Sequence, residues 1–357
     1  MSIKIRASQT LIYSSNNDGI FAYNFLTKTG FVCKPETIEY LSGLNDWHDI
    51  EQAVQIYPKY SSDEMKENIL QLIARTAIVE QGSELDLFEA EFNDSWVWGI
   101  PSAVLHLSLN DNKFQSLAEI EAIQLKKAKS TPSPELYSKN DEFETVIQLQ
   151  RSVCGNELLQ LMARRRTIRE TSIKSISLHQ LTDCLFSGLG ITGHTQNCAG
   201  ELPVSMTPSG GARNPYEAYV YARHVDGLEP GFYHYSAFEH SLGRLPTTNM
   251  PDPSQLLAGQ DWADAMPCII FLTAKFERTM WKYSDANAYR AIFIEAGHIG
   301  QNIMLLATHH GLTACPTAAF CHSELHKCLG LTKLTHSAVY ALALAAPDAD
   351  NQTVNYH

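Results

Sequence analysis

The hydrophobic period of the chain changes several times, and each change marks an element. L-I-Y-S-S and I-F-A-Y-N-F flank N-N-D-G, two strand-like runs around a turn sequence that predict a hairpin. Three helical stretches follow, at K-P-E-T-I-E-Y-L-S-G-L, D-I-E-Q-A-V-Q-I-Y and S-S-D-E-M-K-E-N-I-L-Q-L-I-A-R-T. The third opens on Ser61 with Glu64 close behind it, the pattern of a reciprocal cap. T-A-I-V-E-Q-G-S then reads as a closing strand. Together these elements predict a small winged-helix-like domain over residues 1–90.

From residue 91 to 142 the pattern is patchier and predicts a linker or interface segment. The two tryptophans of D-S-W-V-W-G-I-P-S-A-V-L-H suit a core or an interface. S-L-A-E-I-E-A-I-Q-L-K-K-A-K reads as a helix, and S-T-P-S-P-E-L-Y as an exposed linker. The main domain is expected from Phe143 to residue 357. It holds helices at E-L-L-Q-L-M-A-R and S-L-H-Q-L-T-D-C-L-F-S-G-L, the second capped by Ser177. Strands are expected at E-A-Y-V-Y-A-R-H-V, G-F-Y-H-Y-S, H-S-L-G-R-L, I-I-F-L-T-A-K and S-A-V-Y-A-L-A-L-A-A. Strands interspersed with long helices give an α+β fold. With no strand followed by G-x-G-x-x-G, a dinucleotide site of the doubly wound type is not indicated.

The most apolar stretch runs from Lys282 to Phe320. Ile292, Glu295, Ile299, Ile303 and Leu306 mark one face at helical spacing, and Phe293, Gly297, Gly300 and Met304 another. Such a helix is either plain core or a site element, and its two glycines mark close approach of a backbone or ligand. It breaks at Gly311 and ends in a turn containing Pro316.

Composition narrows the partners. The 357 residues are 44% hydrophobic and 18% charged, with a net charge of −12, so a folded protein is expected and a nucleic-acid or anionic-membrane partner is not. Residues 1–90 hold 7 basic and 13 acidic side chains, 7 − 13 = −6, which argues against a DNA-reading winged helix. The start M-S-I-K-I-R-A-S-Q-T lacks a signal-peptide run, and no apolar stretch reaches a membrane span; a cytoplasmic location is expected. The eight cysteines are scattered without C-x-x-C, as expected of reduced thiols. Cys321, His322 and His326 have a spacing that could serve a metal, but no further cluster supports them, and no metal is expected.

Two motifs carry candidate chemistry. Arg164, Arg165, Arg166 and Arg169 surround Thr167, and guanidinium forks beside a hydroxyl suit a phosphate. In T-P-S-G-G-A-R-N-P-Y, Ser209, Gly210 and Gly211 form a turn whose backbone amides can approach a ligand, with Arg213 close by.

These motifs carry a resemblance. R-R-T-I-R-E resembles the R-R-S-x-R-x opening of FMN-dependent nitroreductase-fold enzymes. P-S-G-G-A-R-N-P-Y-E-A-Y-V, P-G-F-Y-H-Y and Y-R-A-I-F-I-E-A-G-H-I-G-Q-N-I-M-L-L-A-T-H-H-G-L are similar to the SagB-type azoline dehydrogenase branch. The match covers residues 155–346, with four motifs in order. It implies a mixed sheet flanked by helices and an obligate homodimer with FMN at the subunit interface. Arg165, Arg166, Thr167 and Arg169 would hold the FMN phosphate and the ring's polar edge, while Ser209, Gly210, Gly211 and Arg213 would approach from the partner's side. Gln301 and the Ala319 amide would lie near the isoalloxazine. Many relatives carry Glu-Gly where this chain has Ala318-Ala319, so only an amide contact is expected there.

The branch also carries a Lys-Tyr pair before its central helix, matched here by Lys282 and Tyr283. By that resemblance Lys282 is the base and Tyr283 orients the ring or relays the proton. The implied reaction turns thiazoline or oxazoline rings of a ribosomally made peptide into thiazole or oxazole. The N-terminal domain resembles PqqD-like peptide-recognition domains in element order, which implies leader-peptide binding by strand addition. An implied partner is the cyclodehydratase that forms the azolines. Other flavin chemistry on carrier-bound azolines, nitro compounds or quinones, and a non-catalytic peptide scaffold, stay open as alternatives.

Overall fold

The strand-like runs of the second half pair into one six-stranded sheet in the order Ser241–Arg244, Gly231–Ser236, Tyr216–Ala222, Cys268–Lys275, His336–Ala345, Thr313–Thr317. The computed structural model describes residues 3–16, 19–131, 136–137, 145–149, 156–171, 173–198, 200–247 and 249–348. The expected domain start at Phe143, half of the S-T-P-S-P-E-L-Y linker and Cys154 lie outside the described residues. All five pairings in the sheet are antiparallel. The parallel pairing among the described residues is the short one of Ile176–Ser177 with Val225–Asp226, outside that sheet. From Cys268 to Leu272 every side chain of the central strand is fully buried, which explains why that segment is apolar throughout and does not alternate.

The Pro316 segment, expected as a turn, is the edge strand Thr313–Thr317. Proline is tolerated there because an edge strand has N–H groups with no ladder partner to lose. The helix Leu178–Leu189 is capped by Ser177 and Gln180 as anticipated. The hairpin Ile191–Asn197 with Gly200–Ser205 was not anticipated. Its polar sequence T-G-H-T-Q-N is largely exposed and gives no alternation to read.

The chain divides into two units. The first comprises Met1–Asn110, Phe276–Arg290 and Lys333–Thr335, and the second Asp111–Lys275, Ala291–Thr332 and His336–His357. In the first unit the anticipated hairpin forms and extends to a meander, Leu11–Asn16, Gly19–Asn24 and Thr29–Cys33. The helices Pro35–Gly43, Ile50–Gln55 and Ser62–Ala74 follow, the last with the expected Ser61–Glu64 box. Strand Ile78–Glu80 pairs with Lys4–Ala7.

The unit reaches past residue 90 because of its aromatics. Trp96, Trp98 and His106 interlock with Phe276 and Tyr289, at ring separations of 4.9 Å for His106–Phe276 and 5.7 Å for Trp98–Tyr289. Residues 91–110 are therefore packed structure, with helices Glu84–Ser95 and Gly99–Ser108. Among the described residues no helix is long and apolar enough to cross a membrane.

Candidate functional site

Helix Glu157–Arg164 ends where the arginine cluster begins, and the chain then runs without regular structure through residues 165–171. Two side chains of the edge strand fix that run. Ile168 N donates to Thr313 Oγ1 at 3.0 Å, and the Thr313 hydroxyl donates to Arg166 O at 3.3 Å. The Cys315 thiol donates to Ile168 O at 2.9 Å. Within the run, Arg165 donates to Thr167 Oγ1 at 3.4 Å, while Arg166 turns back onto Ala163 O and Arg165 O at 2.8 and 2.7 Å. The Arg169 guanidinium lies 5.5 Å from the Trp262 ring centroid.

The cations are felt by a half-buried phenol and a buried thiol nearby. Burial raises the Tyr340 phenol above its usual value, opposed by the Arg165 charge. Burial likewise raises the Cys315 thiol, opposed first by its hydrogen bond with Thr313 and then by Arg169. Guanidinium and hydroxyl donors on an anchored segment suit a phosphate group.

The glycine turn is held from inside the protein. Ser209 Oγ and Gly210 N both donate to Glu295 Oε2, at 3.0 and 3.1 Å, and Asn214 N donates to Ser209 Oγ at 2.8 Å. Gly211 has φ of 65°, a left-handed conformation that glycine adopts without strain. The Gly210 amide, expected to face a ligand, is thus committed to Glu295. Burial raises the Glu295 carboxyl above the usual range, opposed by these two bonds. The sequence had marked Glu295 only as a position on a buried face. A carboxylate among Ile292, Ile299 and Ile303 was the available signal, since an acid on an apolar stripe needs donors.

The long helix spans Asn287–His309. Ile292, Glu295, Ile299 and Ile303 are buried as expected, but Phe293, Ile294, Gly297 and His298 are exposed in the single chain. Gly300 is the close approach: a Cβ there would lie 2.5 Å from Tyr340 Cε1, whereas one at Gly297 would meet nothing within 4 Å. Gln301 is half-buried, and the neighbouring Asn302 donates to Thr207 Oγ1 and Ser187 O at 3.0 and 3.2 Å. The Ala319 amide donates to Thr317 Oγ1 at 3.1 Å. Gln260 Nε2 bridges that hydroxyl and Ala319 O at 3.0 and 3.4 Å; neither Gln260 nor Thr317 stood out in the sequence.

Lys282 and Tyr283 do not begin the long helix. They occupy the turn between helix Phe276–Met280 and Asn287, belong to the first unit, and donate their amides to Thr279 O at 3.1 and 3.0 Å. Asp285 restarts the helix by accepting from Asn287 N at 2.8 Å. Lys282 Nζ sits 5.4 Å from the Tyr283 ring centroid, and Trp98 Nε1 donates to Tyr283 O at 2.8 Å.

His322 and His326, the spaced pair noted in the sequence, have other partners. His322 Nδ1 accepts from Asp111 N at 3.3 Å, and His326 Nε2 accepts from Ala338 N at 3.3 Å.

The nitroreductase family profile matches residues 162–345, which contain the arginine segment, the glycine turn and the whole long helix. The chain is 32% identical over 174 residues to MJ1384 of Methanocaldococcus jannaschii, named as a candidate nitroreductase, covering 48% of this chain and 84% of that protein. It is 30% identical over 154 residues to the trifolitoxin-processing protein TfxB of Rhizobium leguminosarum bv. trifolii, covering 41% of this chain and 40% of TfxB. In fold it is similar to a chain of the E. coli microcin synthetase McbBCD complex with truncated pro-MccB17 bound, with a TM-score of 0.52 and 20% identity, covering 72% of this chain and 97% of that one. The chain belongs to the nitroreductase family.

Proposed function

We propose that this protein is an FMN-dependent dehydrogenase that oxidises thiazoline or oxazoline rings to thiazole or oxazole in a ribosomally made peptide. The observation that carries the peptide half of the reading is a groove in the first unit. It runs between the edge strand Thr29–Cys33 and the helix Ser62–Ala74, and is lined by Val32, Tyr57, Tyr60, Met65 and Arg75. A free strand edge beside a helix is suited to an added peptide strand, with main-chain bonds on one side and side-chain pockets on the other. This unit is the PqqD-like domain of the proposal, and a leader peptide is its ligand. Similarity to a trifolitoxin-processing protein supports peptide maturation as the setting; the proposed partner is a cyclodehydratase.

Arg165, Thr167 and Arg169 hold the FMN phosphate in this reading, with Arg166 shaping their segment, and Gln301 and the Ala319 region lie toward the ring. The turn of Ser209, Gly210, Gly211 and Arg213, held in shape by Glu295, completes the site from a second subunit, with Ser209 and Gly210 setting its backbone and not donating to the ligand. The exposed Phe293, Ile294 and Gly297 face is the dimer contact. Bound flavin supplies a two-electron acceptor for hydride. Lys282, in an exposed turn, takes the proton from the adjacent ring carbon, and Tyr283 orients the ring or relays the proton.

The test is mass spectrometry of an azoline-bearing peptide incubated with the flavin-loaded protein. Loss of about two hydrogens per ring is expected, and Lys282→Ala is expected to abolish it while keeping flavin. A colourless protein that takes up no FMN sinks the oxidoreductase reading. Undiminished azole formation by Lys282→Ala removes the base assignment alone. Turnover of quinones or nitro compounds without any action on azolines favours a small-molecule substrate.

A further inference from the structure

Away from the arginine segment and the glycine turn, three metal-ligating side chains of the second unit converge. His179 and Asp183 stand one helical turn apart on Leu178–Leu189, a spacing that puts both on one helix face. His310 follows the last residue of the long helix and still donates its amide to Leu306 O at 3.0 Å. Asp183 Oδ2 lies 2.8 Å from His310 Nε2 and 3.4 Å from His179 Nδ1. The three ligand atoms all fall within 4.8 Å of one another.

We propose that His179, Asp183 and His310 form a binding site for a divalent transition metal of the zinc type. Ligands about 2.0–2.1 Å from a tetrahedral zinc stand about 3.3 Å apart, close to the two separations from Asp183, and the exposed His179 side chain can turn to bring its nitrogen to that distance from His310. Two imidazoles and one carboxylate favour zinc, nickel or copper over magnesium or calcium, which prefer all-oxygen shells. The backbone at the third ligand is tied to the same helix, because Gln180 Nε2 donates to the His310 carbonyl oxygen at 3.3 Å. His179 is largely exposed, so a metal has an open approach and a solvent position to complete its shell.

The consequence is mechanical. A bound ion fastens the helix Leu178–Leu189 to the end of the long helix. Just beyond that end the chain turns at Gly311 and enters the strand Thr313–Thr317, which anchors Ile168 and Arg166. The site is a clasp behind the arginine segment and takes no part in the redox step.

The test is a calorimetric zinc titration of full-length, tag-free protein. One saturable equivalent that raises the melting temperature is expected. His179→Ala and His310→Ala are each expected to weaken that equivalent by at least about tenfold, with flavin content and circular dichroism unchanged in His179→Ala. Unaltered zinc affinity in both variants, or no saturable equivalent in the parent protein, overturns the assignment. Magnesium binding as tight as zinc binding overturns it as well.

Discussion

Gly210 donates its backbone N–H to Glu295 Oε2 at 3.1 Å, and that bond makes a buried carboxylate the anchor of the glycine turn. Ser209 donates to the same oxygen. A carboxamide at position 295 can still accept both bonds through its own oxygen, whereas a methyl group accepts none. Glu295→Ala is expected to lose about 1–3 kcal/mol of stability, the cost of leaving buried donors unpaired. Glu295→Gln is expected to stay close to the parent protein. Thermal melts of the three proteins at neutral pH check this.

The same residue predicts a pH dependence. The folded carboxyl lies above its usual value of 4.5 because burial disfavours the charged form. Across the interval between the unfolded and folded values, the folded state therefore binds more protons than the unfolded one. The contribution of Glu295 is fully present below the unfolded value and is lost as pH rises through the folded one. The stability of Glu295→Gln relative to the parent should increase with pH over that window. A difference in melting temperature that is flat with pH contradicts it.

Gly300 and Gly297 lie one helical turn apart and are expected to respond oppositely to alanine. Gly300→Ala drives a methyl into the Tyr340 ring and should destabilise by about 1–3 kcal/mol. Gly297→Ala enters open space within the chain and should stabilise the helix by up to about 1 kcal/mol. If the exposed face is the dimer contact, Gly297→Ala instead weakens self-association. Size-exclusion chromatography beside thermal melts separates the two effects.

The arginine segment predicts a graded loss of cofactor. Arg165→Ala and Arg169→Ala should each weaken FMN retention by about 10–100-fold, the scale of one charged hydrogen-bonding partner. Thr313→Val removes the hydroxyl that fixes Ile168 and Arg166. It should weaken retention less, through displacement of the segment. Fluorescence of flavin released on dilution measures all three.

The proposed peptide groove can be tested apart from the proposed flavin site. Tyr60 lines it and stacks on Tyr57 with ring centroids 6.0 Å apart. Tyr60→Ala should weaken binding of a leader peptide by about tenfold or more, as loss of an aromatic anchor does. Flavin content should be unchanged. Fluorescence anisotropy with a labelled peptide reads the effect, and unchanged affinity moves the peptide site elsewhere.

The sequence by itself determined the local elements and the chemistry they carry. Period, caps and turn residues placed the hairpin before Asn24, the helix capped by Ser61 and the strands around Tyr216 and Ile270. The arginine run marked a candidate anion site, because charge is a property of residues, whereas the Gly210 amide of the glycine turn is taken by Glu295. Tertiary structure decided which groups meet. Only folding brings Thr313 under Ile168, Glu295 under Gly210, Asp183 between two histidines, and Phe276 and Tyr289 into the cluster of Trp96 and Trp98. A hydroxyl, a carboxylate or an aromatic ring shows its type in the sequence, but its partner is set by chain segments dozens to hundreds of residues away, and no local period records that distance.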